Sequence, residues 1–119
     1  MSAAKTSTGG CHCGAVRYEA LVDLSQVMEC NCSFCARRGA LWSFVKGSDF
    51  KLLSDVGALA DYQFGKRSIH HLFCPRCGVG SFSRGASPDG SETIAVNVRC
   101  LDGVDVAELT PIPFDGRSL

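Results

Sequence analysis

HLFCPRCGVG, residues 71–80, decides how this chain is built. Residues 69–73 read as a strand, because Ile69, Leu72 and Phe73 favour a pleated surface. The strand runs into Cys74-Pro75-Arg76-Cys77-Gly78, a C-x-x-C turn stiffened by Pro75. Gly78 permits a backbone conformation in which N–H groups bond the thiolates. Such a knuckle gives two sulfurs to a tetrahedral ion, so a second pair must close the site. Cys11 and Cys13 form a C-x-C pair and are the simplest closers, with His12 between them as the competing ligand. A His flanked by two Cys in extended chain points away from both, which favours the cysteines. A clip from residue 11 to residue 77 is structural and contributes free energy of roughly 10 kcal/mol to folding.

The next cluster outward is CNCSFCARRG, residues 30–39. Cys30, Cys32 and Cys35 offer three thiolates inside six residues. Three protein ligands leave a fourth position for water or substrate, the layout of a catalytic zinc. Cys100 supports a different arrangement: eight cysteines make two four-cysteine sites if it closes this one. A lone thiol at the end of a strand pattern is equally an apolar filler, so spacing leaves both arrangements open. Zinc is favoured over disulfides throughout. Cysteines two or three residues apart rarely meet disulfide geometry. MSAAKTSTGG, residues 1–10, lacks the apolar core of a secretion signal, which points to the reducing cytoplasm.

The rest of the chain reads as short strands split by turns. Residues 15–22 alternate, with Val16, Tyr18 and Ala20 on one face. Residues 93–98 alternate again through Ile94, Val96 and Val98. Further strands are expected at 27–30, 41–46, 50–53, 61–64 and 79–83, and a helical turn at 33–38 with Ser33 as its cap. Residues 1–7 read as a flexible arm ahead of a single domain over 8–117, and the tail LTPIPFDGRSL reads as a surface loop. At 119 residues, 45% hydrophobic and 20% charged, the chain is one globular domain and neither disordered nor a coiled coil. Twelve basic residues balance twelve acidic ones, so bulk charge is not built for nucleic acid or a membrane surface. Two divalent ions and seven thiolates lower the formal charge further, from 0 to −3. No apolar run reaches the roughly 18 residues of a membrane helix.

Taken together, GGCHCGAVRYE, CNCSFCARRG, HLFCPRCGVG, AVNVRCLDGVD and FDGR resemble the glutathione-dependent formaldehyde-activating enzyme (GFA) family, which includes centromere protein V. The resemblance implies an all-β fold, a β-tent of packed short antiparallel sheets stapled by zinc, with one short helical turn at the second cysteine cluster. It implies a structural zinc at Cys11, Cys13, Cys74 and Cys77, and a second, open zinc at Cys30, Cys32 and Cys35 that takes the glutathione sulfur. The implied reaction is a carbon–sulfur lyase's, condensing formaldehyde with glutathione to S-(hydroxymethyl)glutathione. Cys100 stands outside the family motif.

Arg37 and Arg38 follow the second cluster directly and are the candidate contacts for the thiol substrate, or for the negative charge of the thiolates. Lys46, Lys66 and Arg67 are weaker candidates for substrate carboxylates. His70 and His71 read as a pair on an exposed edge, and Trp42 and Phe44 as core or cavity wall on one face. Two other functions compete. One is a non-catalytic zinc module that binds a protein partner. The other is a thiol redox enzyme, with Cys100 its only support.

Overall fold

Strands this short cannot bury their apolar faces alone, and they pair into two sheets. The computed structural model describes residues 4–54, 59–64 and 69–118. In chain order the strands are β1 (Lys5–Gly10), β2 (Arg17–Val22), β3 (Met28–Cys30), β4 (Trp42–Lys46), β5 (Phe50–Leu52), β6 (Ala60–Tyr62), β7 (Ile69–Phe73), β8 (Phe82–Ala86), β9 (Glu92–Asn97) and β10 (Ile112–Phe114). Among the described residues one α-helix, α1 (Ser33–Arg38), stands between β3 and β4. A three-stranded sheet has the order β1-β2-β5, and a seven-stranded sheet the order β10-β3-β4-β9-β8-β7-β6. Neighbouring strands are antiparallel except β10, which runs parallel to β3.

The expected alternation sets the core. Tyr18, Ala20 and Val22 are buried from the small sheet, with Val16 just ahead of β2, and Phe82, Ile94 and Val96 from the large one. The rings of Tyr18, Phe50 and Phe82 pack within 5.6 Å of one another. Tyr18 keeps its buried hydroxyl bonded by donating to the Ser81 carbonyl at 3.2 Å, as a buried phenol requires. No described helix is long and apolar enough to cross a membrane.

Several boundaries differ from the sequence reading. The polar stretch read as an arm forms β1 from Lys5, because backbone pairing with Arg17–Val22 does not need apolar side chains. The strand expected at 79–83 begins instead at Phe82. Residues 79–81 serve the knuckle and β9 through their carbonyls: Val79 accepts from the Cys74 N–H, and Ser81 from the Asn97 N–H. The tail is not a loop throughout, since its residues 112–114 form β10. His71 is buried rather than exposed, and Phe44 is 57% exposed while Trp42 is 4% exposed.

Candidate metal centres and active site

The first cluster forms where β1 and β7 end. Cys11 and Cys13 lie in the turn from β1 to β2, and Cys74 and Cys77 in the knuckle after β7. All four sulfurs lie within 4.8 Å of one another. The sulfurs of Cys11 and Cys13 are 3.7 Å apart, and those of Cys13 and Cys74 3.6 Å. Four sulfurs around a tetrahedral zinc at 2.3 Å stand about 3.8 Å apart, so the donor set fits that ion. The turns are built to hold thiolates. The Val16 N–H donates to Cys11 Sγ at 3.3 Å. Backbone hydrogen bonds from Val79 and Cys13 hold the Cys77 thiol down, at about 6. Gly78 adopts φ 79°, where an L side chain would be strained, and donates its N–H to the Cys74 carbonyl. His12 is exposed and stands outside the cluster.

The second cluster is built by α1. Cys30 ends β3, and Cys32 caps the helix in place of the expected Ser33: its sulfur accepts the Cys35 N–H at 3.3 Å. One residue is therefore both helix cap and candidate ligand, which no ranking of cap residues would find. The helix stops at Gly39, φ 73°, whose N–H returns to the Cys35 carbonyl. The Cys32 N–H donates to Cys30 Sγ at 3.4 Å, and the Trp42 indole N–H to Cys35 Sγ at 3.3 Å. The three sulfurs lie within 4.8 Å of one another. Burial pushes the Cys35 thiol up to about 12, partly offset by the Trp42 bond. Burial also opposes ionisation of Cys32, but the Cys35 N–H and its neighbours outweigh it and hold that thiol below its ordinary value. A metal ion at this point would supply the missing positive charge.

Cys100 does not join either group. Its sulfur faces the Gly80 carbonyl at 3.9 Å, and burial raises its pKa to about 11. This is a filler's environment. A cavity of about 420 Å³ opens beside the second cluster, within the usual 300–1,000 Å³ of small-molecule sites. Cys30, Cys35, Ala36 and Ala40, together with Phe114 and Asp115 of the tail, are among the residues that line it.

The expected arginines separate. Arg37 is exposed and donates to the Ser33 carbonyl of its own helix at 3.0 Å. Arg38 turns inward. Its guanidinium lies 4.6 Å from the Phe34 ring centre, and its Nη1 is buried without a hydrogen-bond partner among the described residues. It is packed so closely on Gly80 that a Cβ there would come within 2.3 Å of Cζ. Neither arginine lines the cavity. Lys46 lies at the far end of β4 from Trp42, about 13 Å along the strand, so it is not brought to the site. Lys66 and Arg67 lie outside the described residues. The sequence reading missed a ring cluster flanking α1. Phe34 packs on His71 with ring centres 4.3 Å apart and the planes tilted by 43°, and Tyr62 and Phe64 lie within 5.7 Å of its centre. The position of Phe34 between two cysteines was the one available signal.

A family model described as glutathione-dependent formaldehyde-activating enzyme matches residues 6–112. The chain belongs to that family. A crystal structure of a Rhodobacter sphaeroides protein is similar throughout, with a TM-score of 0.79 and 36% identity over 89% of this chain and 97% of that one. For a member of the GFA family, the two cysteine clusters are candidate metal centres, and glutathione is the thiol the family's name specifies.

Proposed function

We infer that this chain is a zinc-dependent carbon–sulfur lyase of the glutathione–formaldehyde type, working in the cytoplasm. The carrying observation is the second cluster: three converging sulfurs, no fourth among the described residues, and a cavity that Cys30 and Cys35 help to line. Two zinc ions per chain are assigned. Cys11, Cys13, Cys74 and Cys77 hold the structural one, and Cys30, Cys32 and Cys35 the one at the active site. The whole of residues 8–117 acts as a single unit, extended by β1 to Lys5.

Bound zinc would lower the pKa of an incoming thiol so that its sulfur is available as thiolate at neutral pH. The chain's own part is positional. The Cys32, Cys35 and Trp42 N–H groups fix the ligand sulfurs. The cavity holds thiol and aldehyde together, turning a two-body encounter into a local one. In the condensation, the thiol loses its proton and its sulfur pair forms a bond to the formaldehyde carbon. The C=O π pair moves to oxygen, which takes up a proton, giving S-(hydroxymethyl)glutathione with no net oxidation. The reverse direction breaks the same C–S bond. Arg38 supplies a fixed positive charge behind Cys35, and its unpartnered Nη1 makes it the stronger of the two arginine candidates.

The test is a metal count paired with exchange NMR on formaldehyde and glutathione. The zinc-replete protein is expected to accelerate exchange between free glutathione and its hydroxymethyl adduct, and Cys32→Ser to abolish the acceleration. A protein holding both ions that leaves the exchange rate unchanged would overturn the reading and favour a non-catalytic zinc module.

A further inference from the structure

The C-terminal segment from Ile112 onward, which includes the FDGR stretch, lies directly against the second cluster. β10 pairs with β3 in register Ile112↔Met28, Pro113↔Glu29 and Phe114↔Cys30. Past the strand, Asn31 grips the chain three times. Its backbone N–H donates to the Phe114 carbonyl at 3.1 Å, and its Nδ2 to Asp115 Oδ1 at 2.9 Å. Its Oδ1 accepts the Arg117 N–H at 2.9 Å. Ser118 closes the turn by donating to Asp115 Oδ2 at 2.6 Å. This grip sets Gly116 on top of Cys30. A Cβ at residue 116 would stand 2.5 Å from Cys30 Sγ and 3.4 Å from Cys32 Cβ.

We propose that residues 114–118 are a strap that holds Cys30 in ligating position, with Gly116 and Asn31 as its positioning residues. The proposal rests on the reading of Cys30, Cys32 and Cys35 as one metal site. Asn31 sits between two of the three ligands, so the latch and the ligands share one short run of backbone. A cysteine side chain has one free rotation, and Cys30 is only half-buried. Without the strap its sulfur has room to rotate away from the other two. With the strap in place the Gly116 backbone blocks that rotation on its own side, and no side chain fits between.

The argument separates stability from metal binding. In the metal-free chain, an alanine at 116 is accommodated by turning Cys30 aside, a cheap motion of a side-chain end. In the metal-bound chain Cys30 cannot turn without losing its bond to the ion. Gly116→Ala therefore acts on the second ion and leaves the rest of the fold alone.

Cobalt(II) and zinc titrations of the full chain, with a chromophoric chelator as competitor, test this. For Gly116→Ala we expect at least a tenfold loss of affinity at the second site, with the first site unchanged. The thiolate-to-cobalt charge transfer of the second site should fall from three bonds' worth to two. For Asn31→Ala we expect release of the second ion at least threefold faster, with circular dichroism as in the parent. Second-site affinity in Gly116→Ala within twofold of the parent overturns the strap and leaves the metal site standing. So does an equal weakening of both sites. A parent chain that takes up only one ion overturns the strap and the second site together.

Discussion

Trp42 places a single hydrogen bond on a candidate metal ligand. Its indole N–H meets Cys35 Sγ inside the smaller core cluster, where Ala40 is also buried. A donor aimed at a thiolate in low dielectric is worth more than one in water. Trp42→Phe keeps most of the ring and loses the donor. We expect second-site zinc affinity to fall about 10- to 100-fold, the usual effect of losing an outer-shell partner, with the first ion retained in a competition titration. Cys100 makes the opposite case. It touches the Gly80 carbonyl and neither cluster. Cys100→Ser should leave the zinc count at two by native mass spectrometry and cost about 1–2 kcal/mol in denaturant melts, because a serine hydroxyl would be half-buried there with one acceptor nearby. A fall in zinc content would mean that Cys100 closes the second site after all.

At the scale of an element, α1 is too short to be stable by itself, since isolated helices need some 12–15 residues. Six residues persist here because both ends are tied: the Cys32 sulfur caps the start, and Gly39 in the left-handed region ends it. Gly39→Ala forces an L side chain to φ 73° and should cost about 1–2 kcal/mol. We expect a lower thermal midpoint and weaker second-site metal binding together, read by calorimetry and zinc titration. The helix was legible in the sequence within its bounds, while its cap was not, because capping preferences are drawn from oxygen acceptors and not from ligand sulfurs. The alternating strands β2 and β9 were legible for a plain reason: Tyr18, Ala20 and Val22 on one and Ile94 and Val96 on the other are buried on one face, so the pattern is written in apolar residues. β1 and β10 were not. Both are held by backbone pairing, and β10 by a parallel partner more than eighty residues away. The two cysteine clusters stood out from spacing alone. The buried setting of His71 did not, because it depends on Phe34 and Phe64 arriving from other elements.

At the scale of the whole molecule, the first cluster joins the small sheet to the large one. Cys13 and Cys74 are 61 residues apart in sequence and 3.6 Å apart at their sulfurs. An ion there closes a long loop, and its binding energy is folding energy. The second cluster closes a loop of six residues, so its loss releases little chain. We expect Cys77→Ser to unfold or aggregate, and Cys32→Ser to stay folded by circular dichroism while losing one zinc. Stepwise chelation should show the same order, with one ion leaving before any loss of β signal and the second leaving together with it. Two variants that behave alike would end the division into a structural and a functional centre.

The parallel pairing of β10 with β3 also sets an order of events during synthesis. Asp115 is made 84 residues after Asn31, which is about 4–17 s at 5–20 residues per second. For that interval the nascent second cluster has no strap, and an ion can reach it from solvent. The first cluster is complete only once Cys77 has been made, well after Cys35. A ribosome that stalls between Cys77 and Asp115 thus leaves a chain with all seven clustered cysteines made and residues 115–118 missing. If residues 114–118 hold Cys30 as proposed, such a chain is expected to mismetallate and to oxidise at Cys30 more readily than one that carries them.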